Sequence, residues 1–458
     1  MSKTDNEFLG REPIGKLLLR LSLPAVAGQL INMLYNIVDR IYIGHMPEEG
    51  ALALTGVGVC LPVILIVSAF AALVASGGAP RASIAMGRGD QAEAERIMGN
   101  CFSLLLCVSA VLTVLLLLFH KPLLLAFGAS ENTIVYAAPY MMVYSIGTVF
   151  VQITLGMNAF ITAQGFAKTA MLTTCIGAVC NIVLDPVFIF AFDMGVKGAA
   201  LATILSQGIS ALWVIRFLSG EKSILRLGKG SFRLEWQVLL PCLALGLAPF
   251  VMQISESVIF VCYNSSLLKY GGDIAVGAMT ILTSVMQFAM MPLNGLGQGA
   301  QPITSYNFGA GNRQRVKDTF FLLLKVSLTH SMLMWALIQL FPGLFVSIFT
   351  SDPALHAFAI RALRIYCAVL GIFGIQMACQ MTFTAIGNAK CSILVAVMRK
   401  FILLVPLIYI MPLLVQDKTT GVYLSEPVAD VISVCFCATL FFFAFRKALK
   451  GMEAAEKI

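Results

Sequence analysis

The stretch GGAPRASIAMGRGD, residues Gly77 to Asp90, returns 222 residues later as GAQPITSYNFGAGN, Gly299 to Asn312, with identity at Gly77, Pro80, Ser83, Gly87 and Gly89. A second pair shares that offset: TAQGFAK, Thr162 to Lys168, lies over TAIGNAK, Thr384 to Lys390, with five of seven positions identical. Chance matches do not share one offset, so the chain is a duplicated unit. Around these anchors the sequence is almost continuously apolar. A helix needs about 20 apolar residues to cross the hydrocarbon core, and such runs occur near 17–44, 52–79, 97–119, 134–158, 169–192 and 196–218, then near 236–263, 274–300, 317–341, 358–383, 391–415 and 426–446. The expected fold is therefore all-α and integral to the membrane, with twelve transmembrane helices in two pseudo-symmetric six-helix lobes. The boundaries expected are 1–219 for the N-terminal lobe, 220–235 for a cytoplasmic linker, 236–446 for the C-terminal lobe and 447–458 for a cytoplasmic tail. Six spans per unit bring both halves in from the same side, which makes a parallel repeat. Transporters built this way place substrate between the repeats and alternate its access by rocking.

Composition excludes the main competitors. Of 458 residues, 59% are hydrophobic and 12% charged, against about 25% charged in soluble domains, and mean hydropathy is +0.89. A soluble globule, a disordered chain and a nucleic-acid-binding module are excluded together. The runs are continuous rather than alternating, which disfavours a barrel. Twelve cysteines and four histidines are scattered without a Cys-x-x-Cys pair, so neither a disulfide framework nor a zinc site is indicated. Ala25-Val26-Ala27 resembles a signal-peptidase site, but apolar character continues to Gly44, too far for a signal core. The first helix is therefore expected to be retained.

The basic residues orient the spans. With the N-terminus inside, 24 of the 31 Lys and Arg fall on the inner side, among them Lys3, Arg81, Arg88, Lys229, Arg233, Arg399, Lys400 and Lys457. Cytoplasmic loops carry this excess. The formal charge of +8 thus reads as orientation in the plasma membrane, with both termini cytoplasmic. No Walker-type phosphate loop occurs, and Gly295, Gly297 and Gly299 sit in an apolar helix with no preceding strand, so no nucleotide is expected. Energy is left to an ion gradient or to the substrate's own gradient. No nucleophile–base set or metal-ligand spacing emerges, so no enzyme activity and no cofactor are expected.

Three carboxyls fall well inside spans: Asp39, Asp185 and Glu256. A charge at mid-membrane costs roughly 2.5–3.5 kcal/mol even on the lenient insertion scale, and such residues are functional by default. Burial favours the protonated carboxyl and a nearby cation the ionised one, so a carboxylate held in this balance can trade a proton for Na+ or for a cationic ligand. Asn181 lies one turn before Asp185, and Pro186 frees a backbone carbonyl beside it. Asn158 and Thr203 are placed to complete an oxygen-rich cage. The competing reading is an interhelical hydrogen-bond knot. Asp39 precedes Arg40, which offers a bland neutralised pair. Glu256, amid Gln253, Ser255 and Ser257, fits a cationic ligand, a second proton site or a structural role. Met286 and Met290, one turn apart beside Gln287, suit a promiscuous binding surface, although methionine is also ordinary lipid-facing filler.

The motifs Leu23-Pro24, Asp39, Gly77 to Pro80, Ala163-Gln164-Gly165, Asn181 to Pro186 and Gln298 to Pro302 with Asn307 to Gly311 resemble the multidrug and toxic compound extrusion family, over essentially the whole chain. The resemblance implies two six-helix lobes in a V and export of cationic, amphipathic small molecules by H+ or Na+ antiport, by a monomer without nucleic-acid partners. It places a cation site, for a proton or Na+, on Asp39, Asn181, Asp185 and Thr203, and a family glutamate on Glu256. No Asp occurs in 358–383, where Gln376 and Gln380 are the polar candidates, so the N-lobe set is the one implied. Asn158, Gln253, Glu256, Met286 and Gln287 are expected around the substrate. The alternative is a flippase for lipids or lipid-linked oligosaccharides of the same architecture, which should line its cavity with Arg and Lys. A passive channel or a receptor is disfavoured by the duplication and the buried carboxyls.

Overall fold

The computed structural model describes residues 7–46, 50–228 and 234–456, and these are helical apart from short connections. Lys3, Lys229, Arg233 and Lys457, assigned above to the inner side, lie outside the described residues, as do the middle of the expected linker and the end of the expected tail. After a short helix Glu7–Arg11, the first half comprises α1 (Ile14–Gly44), α2 (Gly50–Gly87), α3 (Gln91–Ala126), α4 (Glu131–Ile146 with Thr148–Ala163), α5 (Ala167–Pro186, continued by π-helical Val187–Ala191) and α6 (Gly195–Ser219). The second half comprises α7 (236–271) and α8 (273–309), which share the helical stretch Trp236–Gly309, then α9 (Arg313–Leu340) and α10 (Pro353–Tyr366 with Phe373–Ala385). It ends with α11 (Ala389–Val397, π-helical Met398–Leu404 and Val405–Leu414) and α12 (Lys418–Glu456).

Nine of these helical stretches are long and apolar enough to cross a bilayer, and two further crossings are bent pairs, by 58° in α4 and 44° in α10. The α4 bend falls at Gly147, whose bare Cα lies against Ile204 of α6. The stretch 236–309 supplies two crossings, not one. Gly77 packs on the Cys242 carbonyl and Gly87 on the Tyr306 carbonyl. Those glycines stand about 15 Å apart on one helix, whereas an unbroken helix would separate residues 242 and 306 by about 96 Å. The chain reverses at Gly272, where φ is 65° and ψ −163°, a backbone that glycine alone adopts freely. The crossings number twelve among the described residues, in two lobes. Bulky apolar side chains such as Leu23, Leu212, Leu413 and Phe443 remain exposed, as a lipid-facing exterior allows. The segment expected as a tail continues α12 as helix to Glu456.

The duplication reappears as reciprocal packing between lobes. Gly77 and Gly246 bring α2 against α7; Gly299, the counterpart of Gly77, and Gly295 bring α8 against Ser22 and Val26 of α1. Gly87 meets Tyr306, and Gly309 meets Ile84, each pair being the other moved by 222 positions. A Cβ at Gly87 or Gly309 would run into a backbone carbonyl, so a side chain there would wedge the lobes apart at a cost of about 1–3 kcal/mol. The same face gathers both chain ends. Leu9, Leu17 and Leu21 share a core with Phe320, Phe383, Phe441, Leu449 and Met452. The Gln164 Oε1 holds the start of the inter-lobe segment, accepting from Ser223 Oγ at 3.0 Å and from the amides of Ile224 and Leu225 at 2.8 and 3.0 Å.

Candidate functional site

Above the glycine seam lies a cavity of about 410 Å³, walled by α1, α2, α4, α5 and α6 and capped from the second lobe by α7 and α8. Its polar lining is made of amides and hydroxyls. Gln29, Asn32, Asn158, Asn181 and Gln207 face it from the first lobe, and Gln253, Gln298 and Gln301 from the second. Among the described residues, no Asp, Glu, Lys or Arg lines it. Such a wall desolvates a ligand gently and leaves the charge to be supplied from behind.

The charge sits one layer back, where α5 leaves α-helical geometry. Asp185 is 0% exposed and Asn181 1%, one turn apart on the same helix face. Asn181 Nδ2 donates to Asp185 Oδ1 at 3.2 Å. Pro186 follows, offers no N–H to the preceding turn, and opens the π-helical Val187–Ala191. Asp39 arrives from α1, which packs along α5, and its carboxyl neighbours that of Asp185. Asp39 Oδ1, Asp185 Oδ2 and Asn181 Oδ1 are buried with no partner. Thr203 stands on the cavity wall with its hydroxyl donated to the Ala199 carbonyl at 3.0 Å. The set can hold a proton, or present several oxygens to a monovalent cation.

The five residues expected around a substrate separate. Asn158 lines the cavity; its Nδ2 donates to the Ala170 carbonyl at 3.2 Å, and its Oδ1 is unpartnered. Gln253 also lines it. Glu256 does not. Its Oε1 accepts from Lys400 Nζ at 2.6 Å within the second lobe. Met286 packs on that lobe's core. Gln287 is exposed, about 16 Å along α8 from Gln298, beyond the cavity wall.

One group of charges escaped the sequence reading and needs correction. Arg399 and Lys400, assigned above to the inner side, are 8% and 5% exposed, inside the π-helical part of α11. Arg399 Nε donates to Asp430 Oδ1 and its Nη2 to Glu426 Oε1, both at 2.8 Å. Glu426 and Asp430 are two further intramembrane acids that the count of three omitted. Their spacing of one helical turn was the available signal.

A family model described as MatE matches residues 24–187 and 249–410. The chain belongs to the MatE family. It is 26% identical over 454 residues to the multidrug export protein MepA of Staphylococcus aureus (strain NCTC 8325 / PS 47), covering 98% of each chain. It is 24% identical over 449 residues to MepA of Staphylococcus haemolyticus (strain JCSC1435), covering 98% of this chain and 97% of that one. Its fold superposes on a MATE crystal structure in the bent conformation with a TM-score of 0.91 at 23% identity, over the full length of both. An outward-facing multidrug resistance MATE transporter of the MOP superfamily gives 0.88 at 24% identity, over 99% of this chain and 100% of that one. This chain is thus a multi-pass membrane transporter of the MatE family, similar over its whole length to proteins named multidrug export proteins.

Proposed function

We propose that this protein exports cationic, amphipathic compounds across the plasma membrane in exchange for protons, with both termini in the cytoplasm and residues 1–219 and 236–446 acting as lobes joined by 220–235. The observation that carries this reading is the fully buried Asp185, held by Asn181 at 3.2 Å with Asp39 beside it, behind an uncharged, amide-lined cavity. With the pair deprotonated, the cavity presents negative potential to a cation; with it protonated, that attraction falls. Proton and substrate then oppose each other's binding by the same factor, as linkage requires, which is the thermodynamic core of antiport. The seam Gly77–Gly246, Gly87–Tyr306 and Gly309–Ile84 closes the face bearing the termini, so rocking about it exchanges access. The amide and hydroxyl lining, with no Lys or Arg among the described residues, favours a cation over the anionic head group of the flippase alternative. The unpartnered oxygens of Asp39, Asp185 and Asn181 would also suit Na+, and imposed gradients separate the two ions.

Substrate charge is the first test. In proteoliposomes under an imposed pH gradient, ethidium is expected to be concentrated and an anionic dye of similar size to stay at its leak rate. Equal transport of both dyes would contradict the proposal.

A further inference from the structure

The second lobe carries a charged cluster where the repeat places the counterpart of the first lobe's site. Asp39, Asn181 with Asp185, and Thr203 stand on α1, α5 and α6, whose counterparts are α7, α11 and α12. On those helices the structure gathers Glu256 and Tyr263, Arg399 and Lys400, and Glu426 and Asp430. The residue 222 positions after Thr203 is Ser425, whose hydroxyl lies 2.8 Å from the Tyr263 hydroxyl. Tyr263 donates in turn to Glu426 Oε2 at 3.1 Å. The Phe373 ring lies under the Arg399 guanidinium at 4.7 Å. Tyr366 and Cys367 face the cluster from α10.

Charge is what makes this cluster unusual. Three carboxyls, on Glu256, Glu426 and Asp430, meet two cations, on Arg399 and Lys400. Fully ionised, the connected group carries one negative charge more than it has cations, an excess that the membrane interior penalises. Both cations lie in the π-helical part of α11, a distortion that recurs at functional sites.

We propose that this cluster is a self-filled ion site. Arg399 and Lys400 stand where an exchangeable cation would bind between α1, α5 and α6, and the surplus carboxyl among Glu256, Glu426 and Asp430 stores one proton. The analogy with the first lobe rests on the reading of Asp39 and Asp185 as an ion site; the proton count does not. The site's looser arm is the Lys400–Glu256 pair, because the Glu256 side chain is 60% exposed while that of Lys400 is 6%.

The test uses the purified full-length protein carrying Asp39→Asn and Asp185→Asn, which silence the first lobe. Infrared spectroscopy of this variant at neutral pH is expected to retain the C=O stretch of one protonated carboxyl. Adding Glu256→Gln, Glu426→Gln or Asp430→Asn, each alone, should remove that band, because two carboxylates then match two cations. Adding Lys400→Met instead should double it. If Glu426→Gln fails to fold, Glu256→Gln, on the exposed carboxyl, gives the same answer. A silent spectrum before the second-lobe substitutions, or a band that survives all three, would overturn the proposal. No gradient enters this measurement, so a failure of proton antiport would leave its result standing.

Discussion

Asp185→Asn is expected to reduce gradient-driven ethidium efflux to the leak rate while the protein still folds and inserts. The side chain is fully buried, and the replacement amide keeps a carbonyl oxygen for Asn181 Nδ2, now 3.2 Å from Asp185 Oδ1. Exchanging one neutral-to-charged hydrogen bond for a neutral one changes stability by about 1 kcal/mol, too little to unfold the chain. What is lost is the titrating half of the carboxyl pair. An amide beside Asp39 neither takes nor gives up a proton in the cycle, so proton and substrate no longer oppose each other's binding. Efflux is read in proteoliposomes, and folding by thermal unfolding in detergent. Wild-type export by a folded Asp185→Asn protein would remove Asp185 from the mechanism.

Arg399→Met is expected to be the most destabilising single substitution in the second lobe. Arg399 holds Glu426 and Asp430 at 2.8 Å each, and all three side chains are at most 9% exposed. Removing one partner of a buried ion pair leaves charge without compensation and typically costs about 3–5 kcal/mol. Replacing the whole set at once removes that penalty, so Arg399→Met combined with Glu426→Gln and Asp430→Asn should regain most of the lost thermal stability. The control is Arg20→Ala, which breaks the Arg20–Glu12 pair at 2.9 Å with side chains 47% and 27% exposed. Surface pairs are worth about 0–1 kcal/mol, so that variant should melt almost with the wild type. Equal losses for Arg399→Met and the triple variant would show that packing, not charge, sets the effect.

What the sequence reveals about this fold depends on how local the determinant is. The spans are readable because hydropathy acts along the chain, and the duplication because two motifs share one offset. The bends are harder. Gly147 and the break before Phe373 interrupt runs that read as uniform, and only the contact with Ile204 shows what the first glycine accommodates. Gly272 falls in the gap that hydropathy leaves between 263 and 274, although helix continues on both sides of it. At the site, the Asn181–Asp185 spacing is local and legible, whereas the Asp39–Asp185 contact joins helices about 146 positions apart in sequence. The same non-locality hid the charged cluster. Arg399 and Lys400 fall inside the run 391–415 and read as inner-side charges until α12 supplies Glu426 and Asp430, and hydropathy has no means of pairing them. Met286 and Gln287 show the converse: residue type suggests a binding surface, while their position along α8 lies outside the lining of this cavity.

On the proposed function, a proton exchanged at the Asp39–Asp185 pair drives export. Proteoliposomes loaded with ethidium and given either a pH gradient at constant Na+, or a Na+ gradient at constant pH, test it most directly. Export driven by the pH gradient and absent under the Na+ gradient is the result predicted; export driven by Na+ alone, undiminished when the pH gradient is abolished, would contradict it.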